Sequence, residues 1–385
     1  MTFVSLNRRH LIGSMGAAGA ALLVPRLAFA AAADTDRRFI FVIQRGAADG
    51  LATLAPLGDP AFAKARGALA EDLAGAVKLD GMFALHPSLA TVGQLYAAQQ
   101  ALFLHAVGIP YRDRSHFDAQ NVLETGGTLP YQIKDGWMNR LLGLLPGSTR
   151  AMAIGATIPA ALRGPREVAS YGNSALPDAS EELLQRVSQM YAGDAQLHSL
   201  WDSALQARGM AGGDTEQGQD PVALGKLAAK LMSGDQGARV AMIETGGWDT
   251  HFNQNGRLRN QLRGLDGLIS ALREGLGASW NKTLVLVATE FGRTVAANGT
   301  GGTDHGTGSL AMLLGGAVKG GRIMSDWPGL AAAQLYEGRD LRPTLSLDAA
   351  IAGAVGGHFG IDPARVLASA FPGSTGKAVE GLIRA

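Results

Sequence analysis

Six short apolar runs, separated by stretches of helical periodicity, constrain the fold of this 385-residue chain more than any other feature. Each run is five to seven residues long and lacks polar alternation, which is typical of strands buried on both faces of a sheet. The runs are 39–44, 101–107, 151–155, 240–244, 283–289 and 310–314. The helical patterns fall at 88–99, 115–124, 136–144, 257–276 and 347–356. This alternation predicts an α/β fold in which helices cover both sides of a mostly parallel central sheet.

Segment 180–233 interrupts the alternation. It contains no strand candidate, is rich in Gln, Ala and Leu, and has a stretch rich in Gly, Asp and Gln at 209–219. We expect a helical insertion between two strands, with 209–219 as a loop. Segments 163–173 and 298–303 are also predicted to be loops. The sequence therefore predicts a single α/β domain at 31–385 with a helical insertion at about 180–233.

Residues 1–30 have the features of a signal peptide of the twin-arginine type. Arg8 and Arg9 precede an apolar run at 13–24, and Ala28-Phe29-Ala30 supplies small residues for a cleavage site. The run has about 12 residues, fewer than the roughly 20 that span a bilayer. The alternative is a chance pair of arginines ahead of an uncleaved anchor. We expect export through the Tat translocase to the periplasm or beyond, with no membrane anchor after cleavage.

Charge and cysteine content exclude several classes of partner and site. Residues 1–30 hold three of the 34 basic and none of the 33 acidic side chains, so the mature chain is near −2. Such a balance does not attract nucleic acid or an anionic membrane surface. The chain has no cysteine, which rules out disulfides and thiolate metal sites.

Polar side chains stand directly after three of the apolar runs, where ligands bind in open α/β sheets. Asp49 follows the first run, Asp249 and His251 follow the fourth, and Glu290 and Arg293 follow the fifth. Asp249 and His251 are two residues apart, so both point the same way on extended backbone. Carboxylate and imidazole groups suit a divalent ion such as Zn²⁺, Mn²⁺, Ca²⁺ or Mg²⁺. Simple turn formation is the alternative for each residue taken alone.

Asp304 and His305 lie in a glycine-rich stretch, Gly-Gly-Thr-Asp-His-Gly-Thr-Gly at 301–308. Its glycines allow unusual backbone dihedrals and a close approach to a ligand, and a flexible surface turn is the alternative. This stretch precedes the run 310–314 instead of following one. To join the other candidate ligands, either that strand runs antiparallel or the loop folds back.

The segment Arg112-Asp113-Arg114-Ser115-His116 is the third candidate element. Ser115 followed by Asp118 suits a helix N-cap, but a helix start flanked by arginines also suits a nucleophile or an anion site. Ser115 and Arg114 are therefore candidate catalytic residues, with Arg293 as a second candidate to hold substrate oxygens. His116 can face either way, whereas His105, inside an apolar run, is expected to be a core histidine.

Five ordered motifs resemble the bacterial family DUF1501, members of which commonly carry a twin-arginine signal. They are Arg-Gly-Ala-Ala-Asp-Gly (45–50), Arg-Ser-His-Phe (114–117), Gly-Gly-Trp-Asp-Thr-His (246–251), Thr-Glu-Phe-Gly-Arg-Thr (289–294) and Asp-His-Gly-Thr-Gly (304–308). The likeness runs from about Phe39 to Pro372. That family is similar in turn to the alkaline phosphatase and sulfatase superfamily, which implies a parallel-sheet fold with metal ligands at the strand ends.

The resemblance also implies residue roles. Asp49 looks like the first-strand metal-binding aspartate and Ser115 like the nucleophile region of sulfatases. Asp249 and His251 look like a metal-binding pair, although the superfamily usually spaces that pair by four. Glu290 stands where many members have an aspartate ligand, and His305 is similar to the late histidine ligand.

Two departures from the superfamily pattern affect the expected function. Phe291 occupies the place of the second metal-binding histidine, and no cysteine can mature into a formylglycine. The leading hypothesis is an exported metal-dependent hydrolase of small-molecule or polymer phosphate or sulfate esters with a serine nucleophile. The alternative is a non-catalytic, metal-containing binding or scaffold protein of the same fold. A serine α/β hydrolase is disfavoured because the chain has no Gly-x-Ser-x-Gly motif.

Overall fold

The strand at Arg38–Gln44, which ends just before the motif at 45–50, lies in the middle of the main sheet. All seven of its residues are buried. The computed structural model describes residues 35–172, 181–211 and 220–384, and these residues belong to one compact unit. The strands are β1 (Arg38–Gln44), β2 (Leu54–Ala55), β3 (Val77–Lys78), β4 (Ala84–Leu85), β5 (Ala101–Gly108), β6 (Ala151–Ile154), β7 (Ala169–Tyr171), β8 (Val240–Thr245), β9 (Thr283–Ala288), β10 (Ser309–Leu314), β11 (Arg322–Met324) and β12 (Leu345–Ser346).

Helices connect most of these strands. They are α1 (Gly50–Thr53), α2 (Phe62–Arg66), α3 (Ala90–Ala97), α4 (His116–Thr125), α5 (Trp137–Leu142), α6 (Glu181–Tyr191), α7 (Ala195–Ala211), α8 (Pro221–Met232), α9 (Gln254–Leu276), α10 (Leu347–Phe359) and α11 (Pro363–Ala370). Short 3₁₀ turns add Gly67–Leu73, Ala160–Leu162, Gly277–Lys282 and Ala332–Gln334. Among the described residues, no helix is both long enough and apolar enough to cross a bilayer.

The main sheet has the order β11-β5-β10-β9-β1-β8-β6-β7, and β12 pairs with β5. Every pairing in it is parallel except the two that β10 makes with β5 and β9. β10 therefore runs against its neighbours, and its first residue lies at the edge where the other strands end. The expectation of a mostly parallel central sheet between helices is confirmed, and the antiparallel direction of β10 carries the stretch 301–308 to the carboxyl edge.

Two hydrophobic clusters cover the two faces of the sheet. Phe39 and Phe41 of β1 pack on one face, where Trp137 of α5 lies with its ring centroid 5.6 Å from that of Phe41. Ile40 and Val42 pack on the other face, against α8 and α9. Burial on both faces explains why residues 39–43 of β1 are all apolar.

The longest helix, α9, covers one face because its apolar residues recur every three or four positions. Leu258, Leu262, Leu265, Ile269 and Leu272 are all buried, which is one continuous stripe of an amphipathic helix. The helix ends at Gly277, whose φ of 52° is a conformation that glycine adopts without strain.

The described structure corrects the predicted bounds at several places. The predicted loop 163–173 contains the strand β7, which pairs in parallel with β6 at the edge of the sheet. α7 continues through 209–211, the start of another predicted loop, and 212–219 lie outside the described residues. Segment 298–303 is a loop, as predicted. The segment predicted as an insertion contains α6, α7 and α8, and the predicted signal peptide at 1–30 lies outside the described residues.

Candidate metal centre

Four side chains of the motifs meet at the carboxyl edge of the sheet. Asp249 and His251 follow β8, His305 precedes the antiparallel β10, and His116 begins α4. His116, Asp249 and His305 each offer a ligand atom, and these three atoms lie within 4.8 Å of one another. The structure thus brings residues from three distant parts of the chain into one cluster, which we call the histidine cluster together with His251.

The Nε2 atoms of the three histidines converge. His305 Nε2 lies 3.0 Å from His116 Nε2 and 2.9 Å from His251 Nε2. Asp249 closes the group: its Oδ1 lies 3.0 Å from His251 Nε2 and 3.3 Å from His305 Nε2, and its Oδ2 lies 3.6 Å from His116 Nε2. Ligands placed tetrahedrally around a zinc ion at its usual bond lengths are separated by about 3.3 Å. The spacing of His116, Asp249 and His305 therefore fits a single ion, and His251 lies against Asp249 and His305 on the side of the group.

The opposite nitrogen of each ring faces an oxygen. Nδ1 of His116 lies 2.8 Å from Glu290 Oε1, and Nδ1 of His305 lies 3.1 Å from the backbone oxygen of Arg114. Nδ1 of His251 lies 3.2 Å from Asp304 Oδ1. These partners assign the proton of each neutral ring to Nδ1 and leave Nε2 as an acceptor. Nε2 acceptors that face one another in this way are stabilised by a metal ion or by a shared proton, and such orientation of Nδ1 is usual for metal-binding histidines.

The charges of the cluster are set by its neighbours. Burial, together with the positive charges around it, lowers the pKa of His305, so its ring is in the neutral form that binds metal ions. Burial by itself raises the pKa of Asp249, but the hydrogen bond and charge of Arg293 outweigh it, and the pKa lies below its ordinary value. At neutral pH the cluster therefore offers a neutral His305 imidazole and an ionised Asp249 carboxylate.

Glu290 and Asp304 were expected to be ligands, and both lie behind the histidines instead. Glu290 is buried, and its Oε1 also accepts hydrogen bonds from the Gly46 backbone and from Gln120 Nε2, each at 2.9 Å. Burial alone raises its pKa, but the hydrogen bonds from His116 and Gln120 bring it below the ordinary value. In this geometry Glu290 and Asp304 orient histidines through Nδ1.

Arg293 is also placed behind the cluster. Its side chain is fully buried, and Nη1 donates to Asp249 Oδ1 at 2.6 Å. Nε donates to Thr303 Oγ1 at 3.0 Å, and Nη2 donates to the Thr303 backbone oxygen. Because every nitrogen is engaged, Arg293 holds Asp249 and the 298–305 loop, and its guanidinium is not exposed to a substrate.

Asp49 lies outside the histidine cluster. Its side chain is 1% exposed, and Arg66 binds both oxygens with two hydrogen bonds of 2.7 Å. Gln254 Nε2 donates to Oδ2 at 2.6 Å, and the Ala52 backbone donates to Oδ1 at 3.1 Å. Lone pairs engaged in this way are not available to a metal ion, so the expected role of Asp49 as a ligand does not match its surroundings.

Ser115 precedes His116 and stands at the N-cap position of α4, but its side chain makes no capping hydrogen bond. The predicted N-cap position is confirmed, with Asp118 in the first turn, but the Ser115 hydroxyl does not supply the cap. Arg114, just before it, has a φ of 61°, a left-handed conformation that costs a non-glycine residue about 1 kcal/mol. Strain of this kind concentrates at functional sites.

Sequence reasoning left His116 undecided, although it belongs to the cluster. The sequence around a single histidine at a helix start does not show which way its ring points. In the structure, the contact of its Nδ1 with Glu290 sets the orientation of the ring. His105 behaves as predicted for a core histidine: it is fully buried, its Nε2 lies 2.9 Å from the Leu54 backbone oxygen, and burial lowers its pKa to about 4.

A cleft of about 540 Å³ opens beside the histidine cluster. Its lining contains two residues of the cluster, two arginines, an aspartate and three small or hydroxyl side chains: His251, His305, Arg114, Arg339, Asp304, Thr294, Ala296 and Ala297. The cleft therefore places guanidinium groups next to imidazole nitrogens, a combination suited to an anionic ligand.

A protein-family model described as "Protein of unknown function (DUF1501)" matches residues 36–371. The matched range includes every residue of the histidine cluster and of the cleft. No curated protein sequence matches the chain.

Several solved structures are similar to the chain at low identity. Ps i-CgsB, solved in complex with k-i-k-neocarrahexaose, is 12% identical over 85% of this chain and 73% of its own, with a TM-score of 0.41. The lipoteichoic acid synthase LtaP from Listeria monocytogenes is 11% identical over 87% and 74%, with a TM-score of 0.40. BT1596, a 2-O GAG sulfatase, is 10% identical over 73% and 64%, with a TM-score of 0.32.

Proposed function

The chain belongs to the DUF1501 family, and from that premise we propose that it is an exported, metal-dependent hydrolase of phosphate or sulfate esters. The observation that carries the proposal is the convergence of the Nε2 atoms of His116, His251 and His305 on Asp249, with each Nδ1 bound to an oxygen. A bound divalent ion supplies Lewis acidity toward an ester oxygen. His116, Asp249 and His305 would hold that ion, with His251 beside them.

The composition of the cluster favours a transition metal. Imidazole nitrogen suits Zn²⁺ and its neighbours, whereas Ca²⁺ and Mg²⁺ are bound almost entirely by oxygen. A ligand set dominated by imidazole therefore favours Zn²⁺ over Mn²⁺, Ca²⁺ and Mg²⁺.

The cleft supports an anionic ester as substrate. Arg114 and His305 both line it, and the Arg114 guanidinium is paired there with the exposed Glu337 and the buried Asp340. Guanidinium groups bind phosphate and sulfate oxygens through two parallel hydrogen bonds. Arg114 is accordingly proposed to hold the non-bridging oxygens, and Arg293 to position Asp249.

Ser115 is proposed as the nucleophile because it lies between the strained Arg114 and the ligand His116. Its Oγ would form a bond to the phosphorus or sulfur atom while the bond to the ester oxygen breaks and the alcohol leaves with a proton. Water would then hydrolyse the covalent ester and return the hydroxyl proton to Ser115. A serine hydroxyl needs a nearby metal ion or base for this step, since it is a poor nucleophile at neutral pH.

A non-catalytic, metal-containing binding protein is the second candidate, favoured by Phe291. The ring of Phe291 is buried and lies 4.9 Å from the ring of His116 and 5.4 Å from that of His305, centroid to centroid. It fills the space beside the histidines with an apolar group and leaves room for ligands of one ion.

Metal analysis of the natively exported protein, followed by assay on aryl phosphate, phosphodiester and sulfate substrates, tests the main proposal. We expect about one transition-metal ion per chain and hydrolysis of at least one substrate class that is lost with a chelator. Metal bound without hydrolysis of any ester would favour the binding protein, and absence of metal would contradict both.

Ser115→Ala is expected to lower the hydrolysis rate at least about 1000-fold, as loss of a covalent nucleophile does. Stability is expected to change by less than about 0.5 kcal/mol, because the side chain caps no helix. Ser170→Ala, the same substitution on the edge strand β7, is the matched control. A Ser115→Ala protein with full activity would exclude the covalent mechanism and leave a water molecule as nucleophile.

Export through the Tat translocase is a separate proposal that rests on Arg8 and Arg9. Replacing both by lysine is expected to keep the protein in the cytoplasm, because the translocase recognises the arginine pair. Cell fractionation and immunoblotting measure the outcome. Arg26→Lys makes the same substitution in the signal peptide outside the pair and should leave export intact. Normal periplasmic recovery of the double variant would contradict the proposal.

A further inference from the structure

A tight turn at 336–340 forms one side of the cleft. The backbone of Tyr336 and Asp340 pairs in both directions, at 2.9 and 3.0 Å, and encloses Glu337 and Gly338. Glu337 has a φ of 52°, a strained value for a residue other than glycine. The turn therefore fixes the backbone at Glu337, at a cost in strain, and starts its side chain beside Arg114.

Asp340, at the end of this turn, holds two arginines of the cleft together. Its side chain is buried, Arg114 Nε donates to its Oδ2 at 2.8 Å, and Arg339 Nε lies 3.0 Å from its Oδ1. Arg339 Nη2 also donates to the His305 backbone oxygen at 2.7 Å, which ties the turn to the histidine cluster. The two guanidinium groups are thus fixed beside the cluster by one buried carboxylate.

Glu337 occupies a donor of this arginine pair. Its Oε2 accepts a hydrogen bond from Arg114 Nη2, and its side chain is 54% exposed. By contrast, Asp340 is fully buried and is a permanent partner of Arg114. An exposed ion pair of this kind is weak because water and salt screen it, so another anion can replace the glutamate.

We propose that Arg114 and Arg339 form a binding subsite for the tetrahedral oxyanion of the ligand, and that Glu337 occupies this subsite when no ligand is bound. The ligand group is a phosphate or a sulfate, and its oxygens displace the Glu337 carboxylate from Arg114 Nη2. Displacement frees Arg114 Nη2 for the anion and leaves the Arg114 and Arg339 guanidinium groups on the cleft side, with the Asp340 carboxylate buried behind them. The subsite rests on the proposed function, and it adds Arg339 and Glu337 to the residues that would contact the ligand.

Calorimetric titration of the metal-loaded full-length protein with inorganic phosphate, and separately with sulfate, tests the subsite. Arg339→Gln is expected to weaken binding about 10-fold, as loss of a charge-assisted hydrogen bond does. Glu337→Gln is expected to strengthen binding about 2- to 5-fold, the range of an exposed ion pair. The anion that shows both effects identifies the chemistry of the ligand group.

Two control variants separate specific contacts from general electrostatics. Arg342→Gln removes the same charge from the same loop, but Arg342 is exposed and donates to the backbone oxygens of Gln334 and Leu335, away from the cleft lining. It should change anion affinity less than twofold. Glu337→Asp keeps the charge but shortens the reach to Arg114, so it should strengthen binding as Glu337→Gln does.

Equal effects of Arg339→Gln and Arg342→Gln, or unchanged affinity in Glu337→Gln, would overturn the subsite, as would a wild-type protein that binds neither anion. These outcomes are distinct from failure of the proposed function. A protein that hydrolyses no ester but shows the expected binding pattern retains the subsite. A protein that hydrolyses esters without this pattern retains the function and loses the subsite.

Discussion

Replacing His305 by alanine is expected to lower the affinity of the histidine cluster for a divalent ion at least about 100-fold, since changes behind the ligands alone cost 10- to 100-fold. His305 Nε2 is the central atom of the cluster, within 3.3 Å of ligand atoms from His116, His251 and Asp249. Its loss removes a direct ligand and leaves the other Nε2 atoms without their common neighbour. Any ester hydrolysis should be lost in parallel.

Metal titration of the chelator-treated variant, with elemental analysis after native export, measures this effect. His198→Ala is the matched control, because His198 is an exposed helical residue whose partner is Asp202. It should bind metal as the wild type does. Undiminished metal content in His305→Ala would show that the three Nε2 atoms do not hold an ion.

Replacing Arg66 by leucine is expected to destabilise the protein by about 3–5 kcal/mol, the usual effect of removing one partner of a buried ion pair. Arg66 and Asp49 are each 1% exposed, and the substitution leaves the Asp49 carboxylate buried without its counter-charge. Because Asp49 also binds Gln254, whose Oε1 accepts from Thr303, the 298–305 loop should loosen as well. Denaturant unfolding measures the stability.

The double variant Arg66→Met/Asp49→Asn is the control, since removing both charges is far less costly than removing one. Most of the lost stability should return. The pH dependence gives a second check: although burial alone raises it, the charge of Arg66 keeps the pKa of Asp49 below its ordinary value. Stabilisation by the pair is therefore complete above about pH 4 and is lost as the pH falls further. A loss below about 1 kcal/mol in Arg66→Leu would contradict a buried ionised pair.

The secondary structure was predictable because the signals are local. Each of the six apolar runs is a strand, and the turn residues after β1, β8 and β9 mark where these strands end. The strands that the sequence did not predict include β7 and the two-residue strands β2–β4. They lie in segments too short or too polar to give a periodic signal. Helix α9 begins three residues before its predicted start, because Gln254 lies outside the apolar stripe.

The sequence by itself also predicted that the residues after β8 and β9 lie at one edge of the sheet. Parallel strands end at the same edge, so Asp249 and His251 had to lie near Glu290, and an antiparallel β10 was one of two ways to add His305. Those arguments use only chain direction and strand order. They do not depend on how any side chain is packed.

Only the tertiary structure decided what each gathered residue does. Asp49 is bound by Arg66, seventeen positions along the chain, while Glu290 and Asp304 turn to the Nδ1 atoms of histidines, and the ring of His116 turns toward the cluster. The arginine pair of the cleft is likewise fixed by Asp340, which is more than 220 positions from Arg114. The physical reason is that a polar or charged side chain buried at the edge of the sheet needs a hydrogen-bond partner or an opposite charge within reach. Which partner does so depends on the packing of distant segments, and that information is absent from any local pattern of the sequence.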